Sequence, residues 1–364
     1  MKILFDSQMF DKQVYGGISR YFVNLISALE RRADFDAELS VLFTKNYYLK
    51  DRKLKFDNFV GRALLSENKR ISKWNKNYSR YRIIKNDFDI FHPTYFHPYF
   101  LKLLKRPFVI TVHDMIYELY PDYFNSADLT AQYKKQVINA ASHVIAISQT
   151  TKDDLIRLLH VPEEKISVVY HGHTPIKNDK MPDVSLPAKY LLFVGGRDDY
   201  KNFENFARGA AILMQGEQSL YLVCAGGSRL TLEEEDFLQQ LNIIERTLQY
   251  DVADDLLYWL YKGAAAFVYP SLYEGFGLPI LEAYESGCPV ILSRTPSFVE
   301  VAADAAIYFD PDNPVDIAES IQSVLDSVEL REQLVRKGEG RLTKFTMERC
   351  IAGTIDVYKN CLKK

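Results

Sequence analysis

Cysteine is scarce in this chain, and no long uncharged apolar run occurs in it. The four cysteines, Cys224, Cys288, Cys350 and Cys361, stand far apart without C-x-x-C spacing. That excludes a disulfide framework and a zinc knuckle, and leaves reduced thiols. No uncharged stretch reaches the roughly 18 apolar residues of a membrane-crossing helix. The opening MKILFDSQMF meets Asp6 after three apolar residues, too early for the apolar centre of a cleaved signal peptide, so a cytoplasmic protein is expected. Neither sign of charge prevails: 45 Lys and Arg stand against 48 Asp and Glu, for a net of −3 over 364 residues.

What is present is an ordinary globular composition, 47% hydrophobic and 26% charged, which argues against disorder and against a coiled coil. At about 150 residues per domain, two domains are expected. The near-neutral total hides an asymmetry. Lys45 to Lys85 holds 13 basic and 3 acidic residues, a net of +10, interleaved with Tyr47, Tyr48, Phe56, Phe59, Trp74, Tyr78 and Tyr81. Two readings stand: a solvated basic helical face with its aromatics in the core, or a surface that meets anionic lipid. A nucleic-acid module is disfavoured, because no RNP, KH, zinc or helix-turn-helix signature accompanies the segment.

Short apolar runs alternate with longer helical patterns, the mark of an α/β fold with a mostly parallel sheet. In the first half, Lys2 to Phe5, Leu39 to Phe43, Ile90 to Phe91, Phe108 to Val112 and Val144 to Ala146 read as strands, and Ile18 to Arg31, Leu129 to Ala141 and Gln149 to Leu159 as helices. Ser148 is placed to cap the last of these. A second set of strands covers Tyr190 to Val194, Leu220 to Cys224, Ala266 to Tyr269, Val290 to Leu292 and Ala306 to Phe309. Between the sets, Tyr170 to Lys189 has three prolines and no apolar period, which reads as a linker. The expected domains are therefore 1–180 and 181–346, with a last helix over 347–364 returning toward the first.

The most informative stretch is Ser271 to Gly287, SLYEGFGLPILEAYESG, which follows a strand and opens a helix at Leu278 or Pro279. Proline suits a first helical turn, and the amides of Phe276, Gly277 and Leu278 would be donors at the positive end of a helix, approached closely past Gly275 and Gly277. Glu274 before the helix and Glu282 about one turn inside it set two carboxylates at two depths along one ligand. A second stretch, Val194 to Phe203, VGGRDDYKNF, ends a strand in two glycines and sets Arg197 and Lys201 at a helix opening, a pairing suited to a diphosphate. Tyr15 to Tyr21, YGGISRY, places Gly16 and Gly17 before a helix but lacks the third glycine of a dinucleotide fingerprint and the GK[ST] of a P-loop. In Val112 to Pro121, VHDMIYELYP, His113 and Asp114 stand at the carboxyl end of a strand, where ligands gather in open α/β sheets. His92 and His97 are five apart across prolines, which rules against a helical metal pair. The D-x-D at Asp310 to Asp312 is flanked by Pro311 and Pro314, which favours a turn over a metal motif.

The E-x7-E stretch resembles the signature of the retaining nucleotide-sugar glycosyltransferases of the family 4 type. These have the GT-B architecture of two Rossmann-like domains facing each other across a cleft, and the H-D-M-I wording at His113 is similar to the mannosyltransferase-like branch of O-antigen and capsule synthesis. The resemblance implies that Glu274 contacts the donor sugar, that Glu282 holds the ribose, and that the amides of Phe276 to Leu278 hold sugar and phosphate, with Gly275 beside them in the donor site. It further implies that Arg197 and Lys201 neutralise the leaving diphosphate without a metal or other cofactor, that Gly16 and Gly17 approach the donor phosphate, and that His113 lines the reaction centre. By position, Tyr250 to Val252 lines the base pocket, giving Tyr250 and Val252 to the donor site. One departure stands out: the family's commoner basic residue lies five positions before the lysine, where this chain has Gly196. The implied reaction is front-side hexose transfer from a nucleotide-diphosphate sugar, with a lean to GDP-mannose, onto a glycan or polyprenyl-diphosphate-linked acceptor. The work would be done in the cytoplasm or on the inner face of its membrane. A nucleotide-sugar epimerase of similar form is the alternative.

Overall fold

The computed structural model describes residues 1–54, 68–175, 183–197, 199–251 and 254–363. The chain forms two compact units, Met1–His171 with Glu348–Lys364, and Gly172–Met347. The division falls at 171/172, ahead of the boundary expected near 180. The reason lies in two contacts: His173 N–H donates to Phe345 O at 2.7 Å, and His173 pairs with Thr346 in an isolated parallel bridge. The start of the expected linker is thereby bound to the second unit, while 176–182 lie outside the described residues.

In the first unit, strands β1 (Lys2–Phe5), β2 (Asp36–Leu39) and β3 (Ile90–His92) form a parallel sheet in the order β2-β1-β3, and β4 (Val109–Val112), β5 (His143–Ala146) and β6 (Ile166–Val168) form another in the order β4-β5-β6. A parallel bridge between Phe91 and Phe108 joins the two. Ile3, Leu4, Phe5, Ile90, Phe91, Val109 and Val112 are all buried. A parallel sheet covered on both faces demands such unbroken apolar runs. Strand β2 starts three residues before the run Leu39 to Phe43 expected for it, since Lys2 to Phe5 register with Asp36 to Leu39. The helix Gln149–Leu159 begins as expected, with the Ser148 side chain accepting from Thr151 N–H. Helix Met347–Lys363 adds Tyr358, fully buried, whose hydroxyl lies 2.6 Å from His92 Nδ1.

The second unit holds a six-stranded parallel sheet of β7 (Tyr190–Val194), β8 (Tyr221–Ala225), β9 (Thr247–Tyr250), β10 (Ala266–Tyr269), β11 (Val290–Ser293) and β12 (Ile307–Phe309), ordered β12-β11-β10-β7-β8-β9. Leu191 and Phe193 of β7 pack with Phe203, Phe206 and Ala210 of helix Phe203–Gly216 and with Ile317 and Ile321 of helix Pro314–Asp326. This is the doubly wound pattern, with its topological switch point between β7 and β10.

Candidate active site

Both informative stretches leave the sheet at that switch point, where an open α/β sheet gathers ligands. β7 runs into the loop that carries Lys201, and β10 into the loop that carries Glu274. The loops are pinned together. Leu272 N–H donates to Tyr200 O at 2.8 Å. Asn202, held in the left-handed region at φ 57°, donates from Nδ2 to Pro270 O (3.2 Å) and Pro311 O (2.8 Å). Asparagine tolerates that conformation better than most residues, so the K-N dipeptide was the available signal for this anchor. Across the join, Lys201 Nζ forms an ion pair with Glu274 Oε1. Glu274 also accepts from Ser271 Oγ at 3.1 Å, and the ammonium lies 5.6 Å from the centre of the Tyr269 ring. Burial, with Glu274 nearby, holds the Tyr269 phenol well above its ordinary range, so it stays a neutral donor.

The helix Leu278–Glu285 opens where expected, with proline in its first turn. Gly277, at φ +96°, has no room for a side chain: a Cβ there would sit 2.9 Å from Ile280 and Phe298. Pro279 carries no N–H and Ile280 N–H donates to Gly277 O at 3.0 Å, so Leu278 N–H is the first-turn donor that the helix sets, with its positive end, beside Glu274. Gly275 and Phe276 form the corner, with Phe276 buried against the edge of Phe345 at 5.4 Å. Glu282 is buried one turn in and accepts from Tyr261 Oη at 3.3 Å.

Arg197 is drawn into a network of its own. Its guanidinium donates from Nε to Glu234 Oε1 (2.7 Å), from Nη1 to Gln249 Oε1 (3.0 Å), and from Nη2 to Ser228 O (2.7 Å) and Arg229 O (3.1 Å). The side chain is 3% exposed. A fork so engaged holds the loops after β7 and β8 in place, and its charge is already answered by Glu234. Lys201, also paired with a carboxylate, has a side chain 15% exposed and is the less enclosed of the two cations. Glu234 itself closes a capping box with Thr231, a local signal visible in the sequence, whereas its partner 37 residues away was not.

In the first unit, Gly16 is extended at φ 165°, and a Cβ on it would meet Gln13 Oε1 at 2.5 Å. The glycine lets Gln13 fold over the start of helix Gly17–Glu30, where its Oε1 accepts from Ser19 N–H at 3.3 Å. His113 follows β4, is 7% exposed, and sits with Nδ1 3.3 Å from His171 Nε2. Burial pushes it down to about 3 and holds His171 well below its usual value, so both rings are neutral near pH 7. Among the described residues the buried His113 Nε2 has no hydrogen-bond partner, an uncommon state for a buried polar atom. Asp114 is not the partner of His113: it pairs with Lys134 at 3.6 Å and accepts from Ile116 N–H at 3.2 Å. His171 fills that place, and nothing in the local pattern 58 residues away pointed to it.

Tyr250 ends β9 and donates from Oη to Ser185 O at 3.1 Å; Val252 lies outside the described residues. Asp310 to Asp312 form a turn, with Asp312 N–H donating to Asp310 Oδ1 at 3.0 Å. Among the described residues no three His, Cys, Asp or Glu side chains could together hold a metal ion, and no helix is long and apolar enough to cross a membrane.

Residues 15–175 match the Glycosyltransferase Family 4 sequence family, and residues 177–341 match Glycosyl transferases group 1. The O-antigen chain mannosyltransferase B of Escherichia coli is 30% identical over 270 residues, covering 69% of this chain and 70% of that protein. The chain belongs to glycosyltransferase family 4. The O-antigen chain mannosyltransferase RfbU of Salmonella typhimurium is 29% identical over 67% of each chain. Among solved structures, this family 4 enzyme superimposes on a sucrose-phosphate synthase from Thermosynechococcus elongatus with a TM-score of 0.77, at 19% identity and over 99% of this chain and 98% of that one. It superimposes on Anabaena HepE, solved with UDP and glucose, with a TM-score of 0.68, at 16% identity and over 99% and 100% of the two chains. The fold is GT-B, with two Rossmann-like units, and the protein is a glycosyltransferase.

Proposed function

We propose that this glycosyltransferase moves mannose from a nucleotide-diphosphate sugar, with GDP-mannose first among the donors, to a glycan or lipid-linked glycan in O-antigen-type polysaccharide synthesis. One observation carries the donor assignment: Lys201 and Glu274, 73 residues apart, meet at the switch point of the second unit beside the start of helix Leu278–Glu285. In this reading Lys201 exchanges Glu274 for the diphosphate. Glu274 then turns to the sugar hydroxyls, and Glu282 to the ribose. As the glycosidic bond breaks, the departing diphosphate gains negative charge, and Lys201 with the helix terminus stabilises it. With those groups in place no metal is needed. The mannosyltransferase relatives support the choice of sugar, and the buried unpartnered Nε2 of His113 supports a role for that ring toward a hydroxyl of the substrate. In a thermal-shift and transfer screen of GDP, UDP and their hexose conjugates, GDP-mannose is expected to raise the melting temperature most and to be consumed only with acceptor. Stabilisation by UDP-hexoses alone would overturn the donor choice.

A membrane-side acceptor is supported by helix Asn68–Lys85. Its buried stripe is Ile71, Asn75, Ser79 and Ile83, while Trp74, Tyr81 and Ile84 are exposed at 57%, 60% and 65%. The helix contains no acidic residue, and Arg70, Lys73, Arg80 and Lys85 are exposed beside the aromatics. Such a face suits the headgroup boundary of an anionic bilayer. In flotation with phosphatidylglycerol vesicles, Arg70, Lys73, Arg80 and Lys85 all changed to Glu should abolish recovery in the lipid fraction; unaltered recovery would remove the lipid contact.

A further inference from the structure

The sheet order of the first unit also has a switch point, between β1 and β3, and a cavity of about 410 Å³ opens there between the segments that follow those two strands. Lys12 and Lys76 line it together with Tyr95, His97, Tyr99 and Tyr133. Its wall is built on the fully buried Asp6, whose carboxylate accepts from Thr94 N–H (2.8 Å), Thr94 Oγ1 (2.8 Å), Gln8 Nε2 (2.8 Å) and Tyr99 Oη (2.9 Å). Gln8 Oε1 in turn accepts from His97 N–H at 2.7 Å. Tyr99 and His97 are therefore held on a hydrogen-bonded frame.

Donors crowd this cavity. Tyr99 N–H donates to His97 Nδ1 at 3.2 Å, which puts the proton of the neutral ring on Nε2, and Nε2 lies 3.3 Å from Lys76 Nζ. Two donor groups thus face each other with no acceptor between them. Lys12 Nζ is 3.2 Å from Tyr95 Oη and 4.3 Å from the centre of that ring. Among the described residues neither ammonium forms an ion pair with a carboxylate, although Asp128 and Asp114 lie within electrostatic reach of Lys12. The acid on the cavity wall, Asp11, is already engaged by Asn75 Nδ2 (2.6 Å) and Ser7 Oγ (2.8 Å), and burial pushes its carboxyl up to about 6. An anionic oxygen would accept from both Lys76 and His97, and tyrosine rings offer flat apolar faces to the C–H groups of a hexose.

We propose that this cavity is the acceptor subsite for a sugar that carries an anionic group, a phosphate or a carboxylate, held by Lys12, Lys76 and His97 with the ring against the tyrosines. The proposal rests on the transferase reading and adds the acceptor's charge to it. Its test is calorimetric titration of the full chain with mannose 6-phosphate, glucuronate, mannose and inorganic phosphate at low and high salt. A charged sugar is expected to bind at least tenfold more tightly than mannose, with an affinity that falls with salt; which of the two does so names the source of the charge. Lys12→Gln and Lys76→Gln are each expected to weaken that binding at least tenfold, and Lys76→Arg to retain it. Equal affinity for charged and neutral sugars overturns the proposal, as does inorganic phosphate binding as tightly as the sugar phosphate. Nucleotide release from a nucleotide sugar by the unmodified protein is measured in parallel. Release with no preference for charged sugars overturns the cavity and leaves the transferase; a charged-sugar preference with no turnover of any nucleotide sugar upholds the cavity and overturns the donor reading.

Discussion

Lys201→Ala is expected to lower sugar transfer by two or more orders of magnitude while the purified variant keeps the melting temperature of the parent. The size follows from what the ammonium does in the proposed reaction. A hundredfold loss corresponds to about 2.7 kcal/mol of lost transition-state stabilisation, the amount typical of one preorganised donor aimed at developing negative charge. The small structural cost follows from position. Lys201 and Glu274 have side-chain exposures of 15% and 18%, and their loops stay joined through Asn202 and the Leu272–Tyr200 hydrogen bond. Glu274→Ala should cost a similar factor, and the double variant less than the product of the two, because groups that act on one ligand are not additive. Steady-state transfer with the best donor from the nucleotide screen, set beside nucleotide release without acceptor, measures all three. Near-parental turnover in either single variant removes these two residues from the reacting centre.

The largest loss of stability is expected from Lys134→Ala. Lys134 is 1% exposed, and its ammonium donates to Glu118 Oε2 at 2.8 Å and to Asp114 O at 3.0 Å. The second oxygen of Glu118, Oε1, is buried with no partner among the described residues, and burial already raises its carboxyl above the ordinary value even with the ammonium opposing that rise. Removing one member of a buried ion pair costs roughly 3–5 kcal/mol. The loss carries a pH signature. Without Lys134 the folded-state carboxyl of Glu118 rises further above its unfolded value, so the folded state holds the proton more tightly and stability falls as pH rises through that window. Urea unfolding should therefore show a larger deficit at pH 8 than at pH 5. Lys134→Met combined with Glu118→Leu should recover most of it, since apolar residues of similar volume replace buried pairs well. A deficit below about 1 kcal/mol for Lys134→Ala at pH 8 would mean that water reaches Glu118.

Much of this architecture could be read from residue pattern, and the exceptions share a cause. Tyr190 to Val194 and Ala266 to Tyr269 are central strands buried on both faces, and an unbroken apolar run ending at glycine or proline marks their limits. Ile166–Val168 and Thr247–Tyr250 carry no such mark because they are edge strands of mixed polarity, held by one neighbour each. The three-residue shift of β2 came from pairing with Lys2 to Phe5, a register that apolar content alone does not specify. At the site, Lys201, Glu274 and the start of helix Leu278–Glu285 were legible because a glycine-rich turn, a proline and spaced charges have local mechanisms. The engagement of Arg197 by Glu234 and the contact of His113 with His171 were not. Each depends on which distant side chain arrives beside it.

The last helix gives the molecule a temporal property. Residues 348–363 complete the first unit, with Tyr358 seated against His92, yet they are made only after the whole of Gly172–Met347. During synthesis the second unit can therefore close around its own sheet while the first still waits for its final piece. An amino-terminal domain generally folds before its successor has emerged, but here the first unit cannot gain this helix until the second has been made. Until that helix docks, His92 lacks the Tyr358 hydroxyl that meets its Nδ1.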